Sequence, residues 1–192
     1  MVIDSGSKRV THLVIRPREH AEDARLVPVG LAEAGGGNEA EIHLRCTSAD
    51  LERFDPVHQY EILHPGERRH EDPKWDVGVE DIVVTPNYTP TAFGDYAGSL
   101  DSDVTISYDR VPKGEIELRR ASAVYSSDGH HLGSIDGVAV DGGDRLTHLL
   151  FERGHLWWKR EVAVPTEAIS KFESDMVTLG VTKRELASVT AP

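Results

Sequence analysis

The sequence contains a single cysteine, Cys46, which excludes an internal disulfide and any paired-cysteine metal or redox site. Aromatic residues are scarce, at 6%, so a core has to be filled mainly by Val, Leu, Ile and Ala. Positive charge is also in short supply: 21 Lys and Arg stand against 33 Asp and Glu, giving a net charge of −12. Binding to phosphate backbones rests on basic side chains releasing counterions, so direct nucleic-acid binding is not expected. No run of about 18 apolar residues occurs, and no membrane insertion is expected. The start, Met1-Val2-Ile3-Asp4-Ser5, turns polar at once and does not read as a signal peptide. A cytoplasmic protein is the expectation, with 192 residues sufficient for one ordinary domain or two small ones.

What the sequence does have is an internal repeat. Arg9-Val10-Thr11-His12-Leu13-Val14-Ile15 matches Arg145-Leu146-Thr147-His148-Leu149-Leu150-Phe151, and a turn beginning at Asp4 or Asp141 precedes each copy. Leu26-Val27-Pro28-Val29 matches Ala163-Val164-Pro165-Thr166, and Ile42 to Thr47 matches Val177 to Thr182. The offset stays near 136, as between Thr11 and Thr147. Each block reads as a short strand: β-branched and apolar residues between turn signals, with the prolines suited to an edge or a strand end. Thr47-Ser48-Ala49-Asp50 and Thr182-Lys183-Arg184-Glu185 read as helix starts, the second a capping box. Leu51 and Leu186 then face inward.

The second copy carries more sequence upstream. Glu115 to Leu118 alternates polar with apolar, Ala123 to Tyr125 continues as strand, and Asp128-Gly129 offers a tight turn. Leu132-Gly133 and Ser134 to Val140 lead into the Asp141 turn. Short, numerous strands of this kind close readily into a small barrel. The phrases Asp128-Gly129-His130-His131-Leu132-Gly133, Ile135-Asp136-Gly137-Val138-Ala139-Val140-Asp141, Leu146 to Leu150 and Val164-Pro165 resemble the PRC-barrel family, over residues 115–189 and in part over 1–55. Tyr108 to Pro112 and Gly154-His155-Leu156-Trp157 are similar to tandem PRC-barrel proteins of actinobacterial type. The resemblance implies a mainly β fold of two small barrels, and no shared active site. It leaves three functional expectations: a protein-interaction adaptor, an RNA-processing or ribosome-assembly factor, or a peripheral scaffold of a photosynthetic-type electron-transfer complex.

Three segments are expected. Residues 1–60 form an incomplete barrel-like unit, 61–112 an acidic linker that is partly irregular, and 113–192 a complete unit. The first unit lacks the opening hairpin of the second. Strands from the linker, at Asp81 to Val84 or Val104 to Tyr108, or a strand from a second chain in a homodimer, are the candidates to fill its open edge. The linker holds 4 basic against 11 acidic residues, so most of the net charge sits there. Its Trp75, Tyr88, Phe93 and Tyr96 are unusual for a spacer and suggest docking or completion of the first unit.

No catalytic constellation stands out. Ten histidines raise a metal hypothesis, with His130, His131, His148 and His155 in one unit, yet no metal-ligand spacing supports it. His12 and His148 occupy equivalent strand positions and read as structural. Asp101-Ser102-Asp103-Val104-Thr105 lacks the strand context of a phosphatase and the glycine of a calcium loop. Neither enzyme activity nor a cofactor is expected. The expected interaction surface is His155-Leu156-Trp157-Trp158-Lys159-Arg160, because adjacent tryptophans on a strand face opposite ways and Trp and Arg favour interfaces. The structural positions of the repeat are Asp4, Thr11, His12 and Pro28 in the first copy, and Asp128, Gly129, Gly133, Asp136, Gly137, Asp141, Thr147, His148 and Pro165 in the second.

Overall fold

The computed structural model of the chain describes residues 1–17, 21–34, 42–90, 96–153, 160–173 and 175–189. It is mainly β, with two small helices. The first copy opens with β1 (Val2–Asp4) and β2 (Arg9–Ile15), an antiparallel hairpin. Its turn is closed by Lys8 N donating to Asp4 O at 2.8 Å, with Lys8 in the left-handed region at φ 56°. β3 (Arg25–Pro28) pairs with β2, placing His12 opposite Pro28 and Leu13 opposite Val27. A 3-10 turn at Val29–Leu31 leads to the small hairpin of β4 (Ala32–Ala34) and β5 (Ile42–Leu44), then to α1 (Ser48–Leu51). Thr47 and Asp50 cap α1 reciprocally, so both helix starts carry a capping box.

The linker differs from the expected irregular spacer. β6 (His58–Leu63), β7 (Trp75–Pro90) and β8 (Tyr96–Pro112) form a three-stranded antiparallel sheet in the order β6-β8-β7. The prolines fit because Pro90 and Pro112 end their strands, Pro86 borders a bulge on the edge strand β7, and Pro65 and Pro73 lie between β6 and β7.

The second copy contains β9 (Glu115–Glu117), β10 (Ala123–Tyr125), β11 (His131–Val140), β12 (Leu146–Arg153), β13 (Arg160–Pro165), β14 (Ile169–Glu173), β15 (Met176–Leu179) and α2 (Lys183–Val189). Six of these strands make one sheet in the order β13-β12-β11-β10-β15-β14, with β10 and β15 parallel. His148 faces Pro165 and Leu149 faces Val164, the same register as His12–Pro28 and Leu13–Val27. No sheet closes on itself among the described residues.

β9 departs from its expected place in the second unit. It pairs antiparallel with β1, Val2 opposite Glu117 and Asp4 opposite Glu115, and Leu118 N extends the ladder to Met1 O at 2.7 Å. The first sheet therefore runs β3-β2-β1-β9, and its open edge is filled from this same chain. A turn at 118–122, with Ala121 at φ 76°, then redirects the backbone into β10.

Val2 and Ile3 are both fully buried, and as neighbours on a strand they face opposite sides of this sheet. Ile3 and Val10 join Leu149, Phe151, Val124 and Val177 in the larger core. Val2 meets Ala24, Leu26 and Val57 in a smaller one, closed by Trp75 and Val111 from the base of the β6-β8-β7 sheet, hereafter the ribbon. The first sheet is thus covered on both faces, by the second copy on one side and the ribbon base on the other. Of the linker aromatics, Trp75 packs against this smaller core, while Phe93 and the side chains of Tyr88 and Tyr96 lie outside the described residues.

Candidate interaction surface

The repeat positions hold backbone geometry rather than chemistry. Asp4 Oδ1 accepts from Ser7 N, and Asp141 Oδ1 accepts from Gly143 N and Arg145 N at 2.9 Å each. These backbone donors hold both carboxyls below the usual carboxylate range. Thr11 donates to Glu115 Oε2 at 2.6 Å, tying β2 to β9, and His12 Nδ1 lies 3.5 Å from the same oxygen. Thr147 donates to Ala139 O at 3.1 Å, while His148 is exposed. Pro28 and Pro165 end β3 and β13.

Asp128 and Gly129 form the expected turn, with Gly129 at φ 76° and Asp128 Oδ1 accepting from Lys183 N at 3.2 Å at the start of α2. At Gly133 a Cβ would lie 1.9 Å from Glu152 O, so only glycine permits β11 to approach β12 this closely. Asp136 sits where the β11–β12 register shifts and pairs with Arg120 at 2.6 Å, and Gly137 leaves ordinary space beside Leu150. Of the expected interaction surface, His155, Leu156, Trp157, Trp158 and Lys159 lie outside the described residues; Arg160 begins β13 opposite Arg153. Among the described residues no three His, Cys, Asp or Glu side chains gather as a metal-binding set.

A charged cluster sits where the first sheet, the ribbon and the second copy meet. The buried Glu117 carboxylate accepts from Arg16 and from Arg119 Nε, each at 3.2 Å. Arg119 also pairs with Asp109, whose other oxygen lies 3.1 Å from His58 Nδ1. Four separate elements are joined here by ions that largely neutralise one another, which is a structural arrangement. A cleft of about 440 Å³ lies nearby, lined by Arg69, Glu71, Asp72, Pro73, Trp75, Val77 and Lys113. Lys113 pairs with Asp76 at 2.7 Å, and the Arg69 guanidinium lies 4.1 Å over the Tyr108 ring.

The ribbon has the exposed apolar surface. One register aligns Ile82 with Ile106 and Glu61, and the next-but-one aligns Val84 with Val104 and Leu63. Side chains alternate across the sheet, so Ile82, Ile106, Val84, Val104 and Leu63 share one face, and Val83, Ile62 and Tyr60 the other. Exposure reaches 56% at Ile82, 50% at Val83, 59% at Val84, 52% at Ile62 and 73% at Tyr60. A strand apolar on both faces is ordinarily buried on both. His64 Nδ1 lies 2.9 Å from Asp103 Oδ1 on β8, and that carboxylate raises the His64 pKa above its ordinary 6.5.

Sequence reasoning treated Asp81 to Val84 and Val104 to Tyr108 as strands able to patch the first unit. It did not single out their exposed faces, whose only signal is an apolar, β-branched run inside an acidic segment. No protein-family model matches the chain, and no curated protein matches it.

Proposed function

We propose that this protein is a non-catalytic interaction adaptor: two PRC-barrel-like units act as the scaffold, and the β6-β8-β7 ribbon is the element that docks a protein partner. The observation carrying this reading is the exposed pair of apolar ribbon faces around Ile62, Ile82, Val83 and Val84. Contiguous exposed apolar surface on a folded chain marks an interaction site. The shared register of the two copies, His12–Pro28 and His148–Pro165, supports the tandem-unit scaffold.

Direct RNA contact gains no support from this surface. The three strands hold seven carboxylate residues and one basic residue, Arg110, a balance that repels phosphate.

The test is affinity capture from the native host with the wild-type chain and with an Ile82→Lys/Val84→Lys variant, compared by mass spectrometry. A protein set recovered by the wild type and lost by the variant supports the adaptor reading. Identical recovery by both chains overturns it.

A further inference from the structure

We infer that the outer edge of β7, from Asp81 to Pro86, receives an extended segment of a partner protein that is cationic and β-branched, as a fourth strand of the ribbon sheet. The inference rests on the adaptor reading above and specifies its partner.

The geometry defines the length of the site. β7 lies at the edge of its sheet, and among the described residues no strand pairs with its outer side. Register shifts between Val79 and Asp81 and between Pro86 and Tyr88 bracket a regular stretch, along which residues 81 to 86 pair one for one with 107 to 102. At about 3.4 Å per residue this is a straight edge of roughly 20 Å, enough for a short added strand. Asp81 Oδ1 accepts from Ile82 N at 2.8 Å, and Pro86 has no N–H to give, so a partner strand meets a natural stop at each end.

The side chains define the partner's apolar content. All six residues of this stretch are exposed. Ile82 and Val84 project on one face and Val83 on the other. An uncovered β-branched edge of this type pairs with whatever strand it meets, which makes its charge decisive.

Charge selects a cationic partner. Arg110, the single basic residue of the three strands, is already committed: its guanidinium donates to Pro56 O at 3.1 Å, reaches Asp55 at 3.5 Å and stacks 4.2 Å over Trp75. Among the described ribbon residues no cation offsets Asp81 at the edge. Lysine or arginine on an added strand gains cross-strand pairing with that carboxylate. A second copy of the chain would instead bring an equally acidic ribbon alongside.

Three short synthetic peptides test this against the full chain by fluorescence anisotropy: lysine alternating with valine, glutamate alternating with valine, and lysine alternating with proline. The expected result is that the lysine–valine peptide binds at least about tenfold more tightly than either other. Its affinity falls with added salt, and it slows exchange of the outward-facing amides within residues 83–85. Asp81→Lys, an exposed substitution, weakens it.

No binding of the lysine–valine peptide overturns the inference. Equal binding of the glutamate–valine peptide overturns the charge class, and equal binding of the lysine–proline peptide overturns strand addition. Sedimentation showing that the chain alone dimerises, and that Val84→Lys abolishes the dimer, assigns the edge to a second copy instead. Each of these leaves the adaptor reading standing when capture by the wild type still exceeds capture by the ribbon variant. Unchanged capture is what removes that reading.

Discussion

Arg9 and Arg145 stand opposite one another as an antiparallel bridge between the two copies, separated by the same 136 positions as Thr11 and Thr147. The hydrogen bonds around them are reciprocal: Val10 N donates to Asp144 O and Leu146 N to Lys8 O, both at 2.9 Å. Lys8 and Asp144 are also equivalent and share a left-handed backbone, at φ 56° and 60°. The copies therefore meet through the same turn used twice, as identical subunits do across a two-fold axis. Two like charges face each other there, and the Asp141 carboxylate beside them offsets the repulsion.

The glycines of β11 give a paired test. Gly133→Ala is expected to cost more than about 3 kcal/mol, because the new methyl group collides with Glu152 O at a site where backbone meets backbone. Gly137→Ala, whose nearest atom is Leu150 Cδ1 at 3.7 Å, is expected to stay within about 1 kcal/mol of wild type. Urea denaturation with matched m-values distinguishes the two.

Glu117→Gln removes the charge held between Arg16 and Arg119. The two arginine side chains keep 44% and 34% of their surface in water, so the loss falls below that of a fully buried pair, at about 1–3 kcal/mol. The Arg16→Gln/Glu117→Gln double variant is expected to lose less than the sum of the singles, which a denaturation cycle measures.

The loop after β6 is pH-dependent at one contact. The hydrogen bond and charge of Asp103 raise the His64 pKa above 6.5, so the contact is at full strength below the unfolded value and weakens as pH rises through the folded one. An NMR titration should place the His64 midpoint above 6.5, and Asp103→Asn should lower it. A midpoint insensitive to Asp103→Asn contradicts the contact.

The cap of α2 should be measurable on its own. Thr182 Oγ1 accepts from Glu185 N at 3.2 Å, and Glu185 Oε2 accepts from Thr182 N at 2.8 Å, while Leu186 one residue on is buried in the larger core. Thr182→Ala is expected to cost about 1 kcal/mol. Thr182→Ser should restore most of it, with thermal unfolding as the readout.

The repeat was legible because its signals are local. Asp at the turn, proline at the strand end and threonine before the helix each act within a few residues, and all recur in both copies. The place of β9 was not legible, because its partner is the N-terminal strand while its neighbour in sequence is the second copy. Alternation in Glu115 to Leu118 identifies a strand and is silent about which sheet takes it. The ribbon was half legible: Ile82 to Val84 and Val104 to Tyr108 read as strands, but prolines and carboxylates masked their continuity. An edge strand exposed on both faces has no in–out alternation to report. The Trp157–Trp158 surface lies outside the described residues, and the candidate site rests on the ribbon instead.

The pairing of β9 with β1 has a consequence for synthesis. Chains emerge N-terminal end first, and a segment generally settles once its own contacts are available. Here the first sheet waits for Glu115–Glu117, so β1 to β3 spend the translation of the whole ribbon without their final neighbour. Contacts this distant in sequence slow folding, since loop closure precedes any gain from pairing. A nascent chain that ends before residue 115 accordingly holds a first sheet whose β1 edge is still open.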